Sequence, residues 1–398
     1  MRVAVFTPYL PYPPDTGGKI RSYHLLRALT ARFEVDLYTV YYGEEPPDAE
    51  TRALREHCRR VVLLHLVKSE RTRDRIRRVL GPLPRSVDYF HTSLSLKQAR
   101  KHLCDTKYDL VVADEICMTP YAELVLDLPR IVVRQKVDHL HYRETTLARP
   151  WEIEKILDFL EAAKLRRYER AKMPLYQGFL ACSEQDAAII NRDVPEMPSL
   201  VIPNGVDLST FVPSGLSRSE EPTLLYVGSM DYYPNIDAVQ FFFDSMYKTI
   251  RQVVPNVCVQ IVGHAPPREI QELANLPGVQ VTDTVPDVRP YYEQATMLIV
   301  PLRLGGGTRL KIVEAMAMGL PVVSTTVGAE GLDVRSGENI LIADDAASFA
   351  DDILQLLSDL DLCNRIAEGG RILAHRYDWK ELMEPFTNWV AKVAREWR

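Results

Sequence analysis

The stretch from Met297 to Leu332, MLIVPLRLGGGTRLKIVEAMAMGLPVVSTTVGAEGL, constrains this chain more than any other. Its apolar runs and glycines predict a buried strand over Met297–Leu302 and a glycine loop at Gly305–Gly307. A helix over Thr308–Met318 follows, stopped by Gly319, and then a second strand over Pro321–Ser324. Glycine has no Cβ, so the backbone of Gly306 and Gly307 can approach a ligand closely. Thr308 is placed to cap the helix, and the free N–H groups of the next turn point back into the loop. A helix start behind such a loop is an anion site, and Arg309 and Lys311 add two cations at its mouth. Glu314 stands out because its helix is otherwise apolar from Ile312 to Met318. At ~1.5 Å per residue it lies about 9 Å below the cap, and it shares a face with Lys311, three residues away. Taken alone, the same residues also fit a parallel-sheet helix with one polar side chain at a domain rim.

These residues resemble the donor-binding segment of retaining nucleotide-sugar glycosyltransferases of the GT-B fold, the bacterial glycosyl transferases group 1. In that family one glutamate begins the loop and a second follows eight positions later, before an Ala-Met-Ala-like run. Glu314 with Ala315–Met316–Ala317 matches the second, whereas Gly306 stands where the first would be. The run Gly-Gly-Gly-Thr-Arg-Leu-Lys is that of a branch of the same family. The resemblance implies that Gly306, Gly307 and Thr308 hold the donor diphosphate and that Glu314 binds the ribose diol. It also implies that Arg309 and Lys311 stabilise the diphosphate as it departs.

A chain of 398 residues, 46% hydrophobic and 26% charged, is long enough for two soluble domains of ordinary size. The net charge of −6 is unevenly spread. Residues 1–200 hold 32 Lys+Arg against 28 Asp+Glu, and residues 201–398 hold 16 against 26, so the halves are +4 and −10. A mildly basic first half suits acidic partners and is too weak to argue for nucleic acid. The six cysteines include no C-x-x-C pair, as in a reduced, cytoplasmic protein. The start MRVAVFTPYL reads directly as a strand, and no apolar run nears the ~20 residues of a membrane span. The expectation is a cytoplasmic chain, or one peripheral at the inner face of a membrane.

Along the chain, strand Arg2–Thr7, the loop PYLPYPPDTGG and a helix from about Lys19 to Ala31 form the opening unit of a doubly wound sheet. The Gly17–Gly18 pair is also what a simple helix start needs, but in the family such a pair lies against the donor. Residues 68–85 hold seven Lys/Arg and two acids beside Ile76, Val79, Leu80 and Leu83. They fit a solvated face, or a basic interfacial helix on an anionic membrane. After the strand Arg130–Val133 the chain reads RQKVDHLHYRE. There Gln135 stands in place of a family histidine, while Asp138 and His139 are the candidate acceptor-side residues. His139 with His141 lacks an obvious third ligand, so no metal site is expected. A long helix is expected over 151–172, and Ser183 reads as an N-cap.

LVIPNGVD at residues 200–207 resembles the family's crossing into the second domain. The second half repeats the strand–helix rhythm, with one helix expected over Asn235–Val253. Gly228 and Gly263 end strands where a donor would collect. The family's phosphate-binding Arg and Lys after the first of these strands are missing from GSMDYYPN.

The expected fold class is therefore α/β, with two Rossmann-like GT-B domains facing each other across a cleft. Residues 1–205 form the acceptor side and 206–375 the nucleotide-sugar side, with helix 376–398 crossing back to the first. The implied activity is transfer of a hexosyl unit from a nucleotide diphosphate sugar to a polysaccharide, lipid-linked or other glycan acceptor. It needs no metal or other cofactor, the sugar nucleotide being a co-substrate. Two alternatives stay open: a nucleotide-sugar epimerase or hydrolase, and a non-catalytic partner subunit that keeps the fold. A nicotinamide dehydrogenase is disfavoured, since no G-x-G-x-x-G follows either opening strand.

Overall fold

The valine-, isoleucine- and leucine-rich runs form short parallel strands buried on both faces, which requires helices to cover both sides of each sheet. A computed structural model describes residues 1–67, 78–148, 154–215, 219–230, 232–305 and 309–397. The chain divides into Met1–Ile202 with Met383–Arg398, and Pro203–Leu382.

In the first unit the strands are β1 (Arg2–Thr7), β2 (Glu34–Tyr41), β3 (Arg60–His65), β4 (Leu110–Asp114), β5 (Arg130–Arg134), β6 (Gly178–Ala181) and β7 (Ser199–Val201). Their order in the sheet is β3-β2-β1-β4-β5-β6-β7, and the pairs are parallel. In the second unit they are β8 (Thr223–Val227), β9 (Cys258–Val262), β10 (Val279–Val281), β11 (Met297–Val300), β12 (Val322–Ser324) and β13 (Leu341–Ile342). These run β10-β9-β8-β11-β12-β13, again parallel. Strand order reverses between β1 and β4, and between β8 and β11. A doubly wound sheet collects ligands outside the carboxyl ends of the strands at such a point.

Several boundaries differ from the sequence reading. The glycine pair does not precede the first helix: Gly17 begins it, with Thr16 as N-cap, and the helix runs Gly17–Arg32. The helix expected over Asn235–Val253 is two, Tyr233–Ser245 and Tyr247–Val253, because Met246 leaves helical geometry at φ −127°. The domain boundaries lie at 202/203 and 382/383, so the C-terminal helix Trp379–Glu396 starts in the second unit and ends in the first. Its Trp389 packs so closely on Gly178 that a Cβ there would stand 2.8 Å from the indole. Arg32 donates to Thr387 at 3.2 Å and to Asn388 at 2.5 Å. Residues 68–77 of the basic segment and 151–153 of the long helix lie outside the described residues. Among the described residues no helix is long and apolar enough to cross a membrane.

Candidate functional site

At the switch point of the second unit, β8 and β9 both end in glycine. The Gly228 amide donates to Val262 O at 2.9 Å. A Cβ at Gly263 would lie 1.8 Å from the Gly228 carbonyl, so no other residue fits there. A Cβ at Gly228 would lie 2.9 Å from both the Asn235 side chain and the Lys311 ammonium. Lys311 therefore reaches back from its helix to the mouth of β8, where the GSMDYYPN loop carries no cation of its own. Its Nζ donates to Asn235 Oδ1 at 3.1 Å and stands 4.3 Å from the centre of the Tyr226 ring. Tyr226 donates to the same Asn235 oxygen at 2.8 Å, and Asn235 Nδ2 donates to Ser229 O at 2.7 Å.

The helix behind the glycine loop spans Leu310–Ala317, with Arg309 in extended geometry at its N-cap. The described helix thus begins two residues after the expected start at Thr308. Gly306, Gly307 and Thr308 lie outside the described residues. Gly305, at φ +95°, turns the chain as glycine readily does. Arg309 Nη2 donates to Gly305 O at 2.6 Å.

Glu314 is buried, and Tyr292 donates to its Oε2 at 2.9 Å. Burial pushes its carboxyl up to about 7, against the opposing effects of the Tyr292 hydrogen bond and the Lys311 charge. Lys311 is pushed down to about 7, first by burial and then by the Arg309 charge, with Glu314 opposing. Among the described residues no ion pair joins Lys311 to Glu314; each has its own neutral partner. A cation and a carboxylate of tunable charge thus stand about one helical turn apart along one face. Asn235, Tyr226 and Tyr292 escaped the sequence reading. Only Asn235 left a trace, as a polar residue in the first turn after Pro234.

In the first unit, Gly18 brings its helix against the loop after β1, where a Cβ would stand 2.4 Å from the Tyr9 hydroxyl. Gln135 donates to that hydroxyl at 3.4 Å. Gly17 holds the first position of the same helix. Ser22 donates to Asp114 at the end of β4, and burial pushes that carboxyl up to about 6. Glu115 follows at φ +83°, and burial, with the charge of Asp138 adding, pushes it up to about 8.

The expected acceptor-side pair is found in an ionic network. Arg134 donates to Asp138 at 2.9 Å and to Glu169 at 2.6 Å, and His139 Nδ1 lies 2.5 Å from Glu169 Oε2. His139 is thereby committed to Glu169. Among the described residues no group of three or more His, Cys, Asp and Glu is arranged to hold a metal ion.

Comparison with known proteins adds the family. Residues 16–210 match the model described as Glycosyltransferase Family 4, and residues 221–359 match Glycosyl transferases group 1. An "Uncharacterized 44.6 kDa protein in cps region" of Klebsiella pneumoniae is 21% identical over 397 residues, covering 96% of this chain and 97% of that protein. Sucrose-phosphate synthase from Thermosynechococcus elongatus superposes with a TM-score of 0.73 over 99% of both chains at 19% identity. Anabaena Alr3699/HepE in complex with UDP and glucose superposes at 0.68, over 98% of this chain and 99% of that one, at 14% identity. At these identities the superpositions establish the fold.

Proposed function

We propose that this chain, which belongs to the glycosyltransferases of GT-B fold, is a retaining enzyme that moves a hexosyl unit from a nucleotide diphosphate sugar to a glycan acceptor, polysaccharide or lipid-linked. The observation that carries this reading is the Lys311 ammonium set against Gly228 and Asn235, with Glu314 one turn deeper in the same helix. A diphosphate against Gly228 meets the ammonium and the N–H groups of the helix start. The nucleoside ribose then falls within reach of the Glu314 carboxylate, which accepts hydrogen bonds from its two hydroxyls.

Charge builds on the diphosphate as the sugar bond breaks, and preorganised donors act most strongly there. In this reading Lys311 supplies the cation that the loop after β8 lacks, and Arg309 acts through its hydrogen bond to Gly305 O. The site uses no divalent cation. The incoming hydroxyl attacks from the side that the diphosphate leaves, which retains configuration. Asp138 and His139, held by Arg134 and Glu169, belong to the acceptor side.

The test is product analysis with a panel of sugar nucleotides, with and without bacterial surface glycans or lipid-linked saccharides. Nucleoside diphosphate released only with acceptor, and a product of the donor's anomeric configuration, support transfer with retention. Free sugar without acceptor indicates a hydrolase, and an altered sugar nucleotide an epimerase. The absence of any turnover beside intact nucleotide binding indicates a non-catalytic subunit.

A further inference from the structure

Arg303 is the first charged residue after β11, and its side chain is held by the helix Tyr233–Ser245, which follows the neighbouring strand β8. Its Nε donates to Asp237 Oδ2 at 3.1 Å and its Nη2 to Asp237 Oδ1 at 2.6 Å, a fork that joins residues 66 apart. The guanidinium also lies 4.3 Å from the centre of the Phe241 ring. Asp237 and Phe241 are four residues apart and so share a face of their helix. Two hydrogen bonds and a ring fix a planar guanidinium in distance and angle, which the point charge of a lysine would not do. The Asp237 side chain is 12% exposed and that of Arg303 48%. A pair with one half-exposed member adds little to stability, so what it contributes is geometry.

The same helix carries Asn235, the residue that accepts from the Lys311 ammonium. Its start has no side-chain cap from Tyr232, and the Asn235 amide donates back to Tyr232 O at 2.9 Å. Asp237 comes two residues later and faces another way. It meets the segment after β11, whereas Asn235 meets Tyr226 of β8. Gly305 adds a second contact between that segment and the helix start, since a Cβ there would stand 2.8 Å from the Tyr232 hydroxyl. Residues 303–305 thus brace the turn of helix on which Asn235 sits. The charge of Asp237 is felt at the same place. Burial pushes the Tyr226 phenol up, the Arg309 charge opposes, and the Asp237 charge adds. Tyr226 shares its Asn235 oxygen with Lys311, so Asp237 acts on that group from its edge.

We infer that Asp237 is a positioning residue for the diphosphate: paired with Arg303, it braces the helix start so that Asn235 keeps the Lys311 ammonium at Gly228. The inference rests on the reading of Gly228 and Lys311 as the place of the diphosphate. A carboxylate repels a phosphate, so the effect of Asp237 passes through Lys311 and its sign is distinctive. By charge alone, removing a carboxylate beside an anion site tightens binding. By positioning, removing it weakens binding.

The experiment is calorimetry of the full chain with pyrophosphate, for the parent and for Asp237→Ala, Asp237→Asn and Arg303→Gln, each made again in a Lys311→Ala background. Melting temperatures establish that each variant is folded under the conditions of the titration. Arg303→Gln changes a half-exposed side chain and keeps the test open should Asp237→Ala unfold. Asp237→Ala and Arg303→Gln are each expected to weaken pyrophosphate by about tenfold. Asp237→Asn, which keeps one acceptor oxygen for the guanidinium, should lose less. In the Lys311→Ala background the same changes should alter affinity by less than about twofold, because nothing is left to position. The inference is overturned by tighter binding to Asp237→Ala, by folded variants that bind like the parent, or by a loss that persists undiminished without Lys311. A parent that binds neither pyrophosphate nor any nucleoside diphosphate overturns the diphosphate site itself, and the inference with it.

Discussion

The Lys311 ammonium and the Asn235 carboxamide meet at 3.1 Å, although 76 residues separate them in the chain. Asn235 also accepts from Tyr226, so a single amide oxygen holds a lysine and a phenol at the carboxyl end of β8. The contact sets an ammonium beside a loop that has no cation of its own, as the proposed diphosphate site requires. Lys311→Ala should lower kcat by ~10²–10³, with a smaller change in KM, because the charge it meets is fully developed only at departure. Single-variant kinetics check this, and an unchanged kcat would place the diphosphate elsewhere.

Arg309 differs from Lys311 in what it touches. Its hydrogen bond to Gly305 O makes it a positioning residue for the loop. Arg309→Ala should therefore raise KM and lower kcat together. A pure kcat effect would mean that the guanidinium leaves Gly305 to meet the phosphate.

Glu314→Ala should weaken nucleoside diphosphate binding by roughly 1.5–3 kcal/mol, the strength of a hydrogen bond to a charged group. Pyrophosphate, which has no ribose, should bind almost as before. Calorimetry with both ligands separates this from general damage, which would weaken both equally.

The pH dependence has a definite sign. Lys311 is held down to about 7, so in the free protein it is charged below that pH and neutral above it. An anion bound beside it favours the charged form and raises its pKa, so binding takes up a proton above pH 7. Pyrophosphate affinity, corrected for the ligand's own titration, should fall as pH rises through 7, and Lys311→Met should flatten the curve. Glu314 is raised to about 7, so the folded state holds a proton that the unfolded chain gives up near 4.5. Its contribution to stability is present below 4.5 and is lost as pH rises through 7. Glu314→Gln should remove that slope from the pH profile of thermal unfolding.

Gly263→Ala forces a methyl group to 1.8 Å from the Gly228 carbonyl. Overpacking of this kind costs about 1–3 kcal/mol, and relief requires β8 and β9 to part at the mouth of the site. The variant should unfold at lower denaturant concentration and lose nucleotide binding by more than its stability loss explains.

The strand–helix alternation was legible because each buried parallel strand is a continuous apolar run, as in LVVAD of β4 or MLIV of β11. Glu314 was legible as the one acid in its helix, set in the otherwise apolar run from Ile312 to Met318. Its partner Tyr292 was not, because the contact joins residues 22 apart on different helices and leaves no periodic trace. The break at Met246 was hidden for a related reason, since the apolar pattern continues through it and only the backbone turns away. Lys311 and Arg309 look alike in sequence, two cations beside glycines. What distinguishes them is rotamer and reach, one to Asn235 and the other to Gly305. In the first unit, Asp138 and His139 stood out beside each other, but Arg134 and Glu169, which hold them, lie on β5 and the helix Glu154–Lys172.

Thermal unfolding against a panel of UDP, GDP, ADP and TDP and their sugars asks most directly whether the second unit holds a sugar nucleotide through Lys311 and Glu314. One base should stabilise the protein by ~2.7 kcal/mol at a hundredfold excess over Kd, with its sugar nucleotide acting likewise. Glu314→Ala and Lys311→Ala should each reduce that shift. A panel in which no nucleotide moves the transition, or in which both variants respond like the parent, would contradict the assignment of this site.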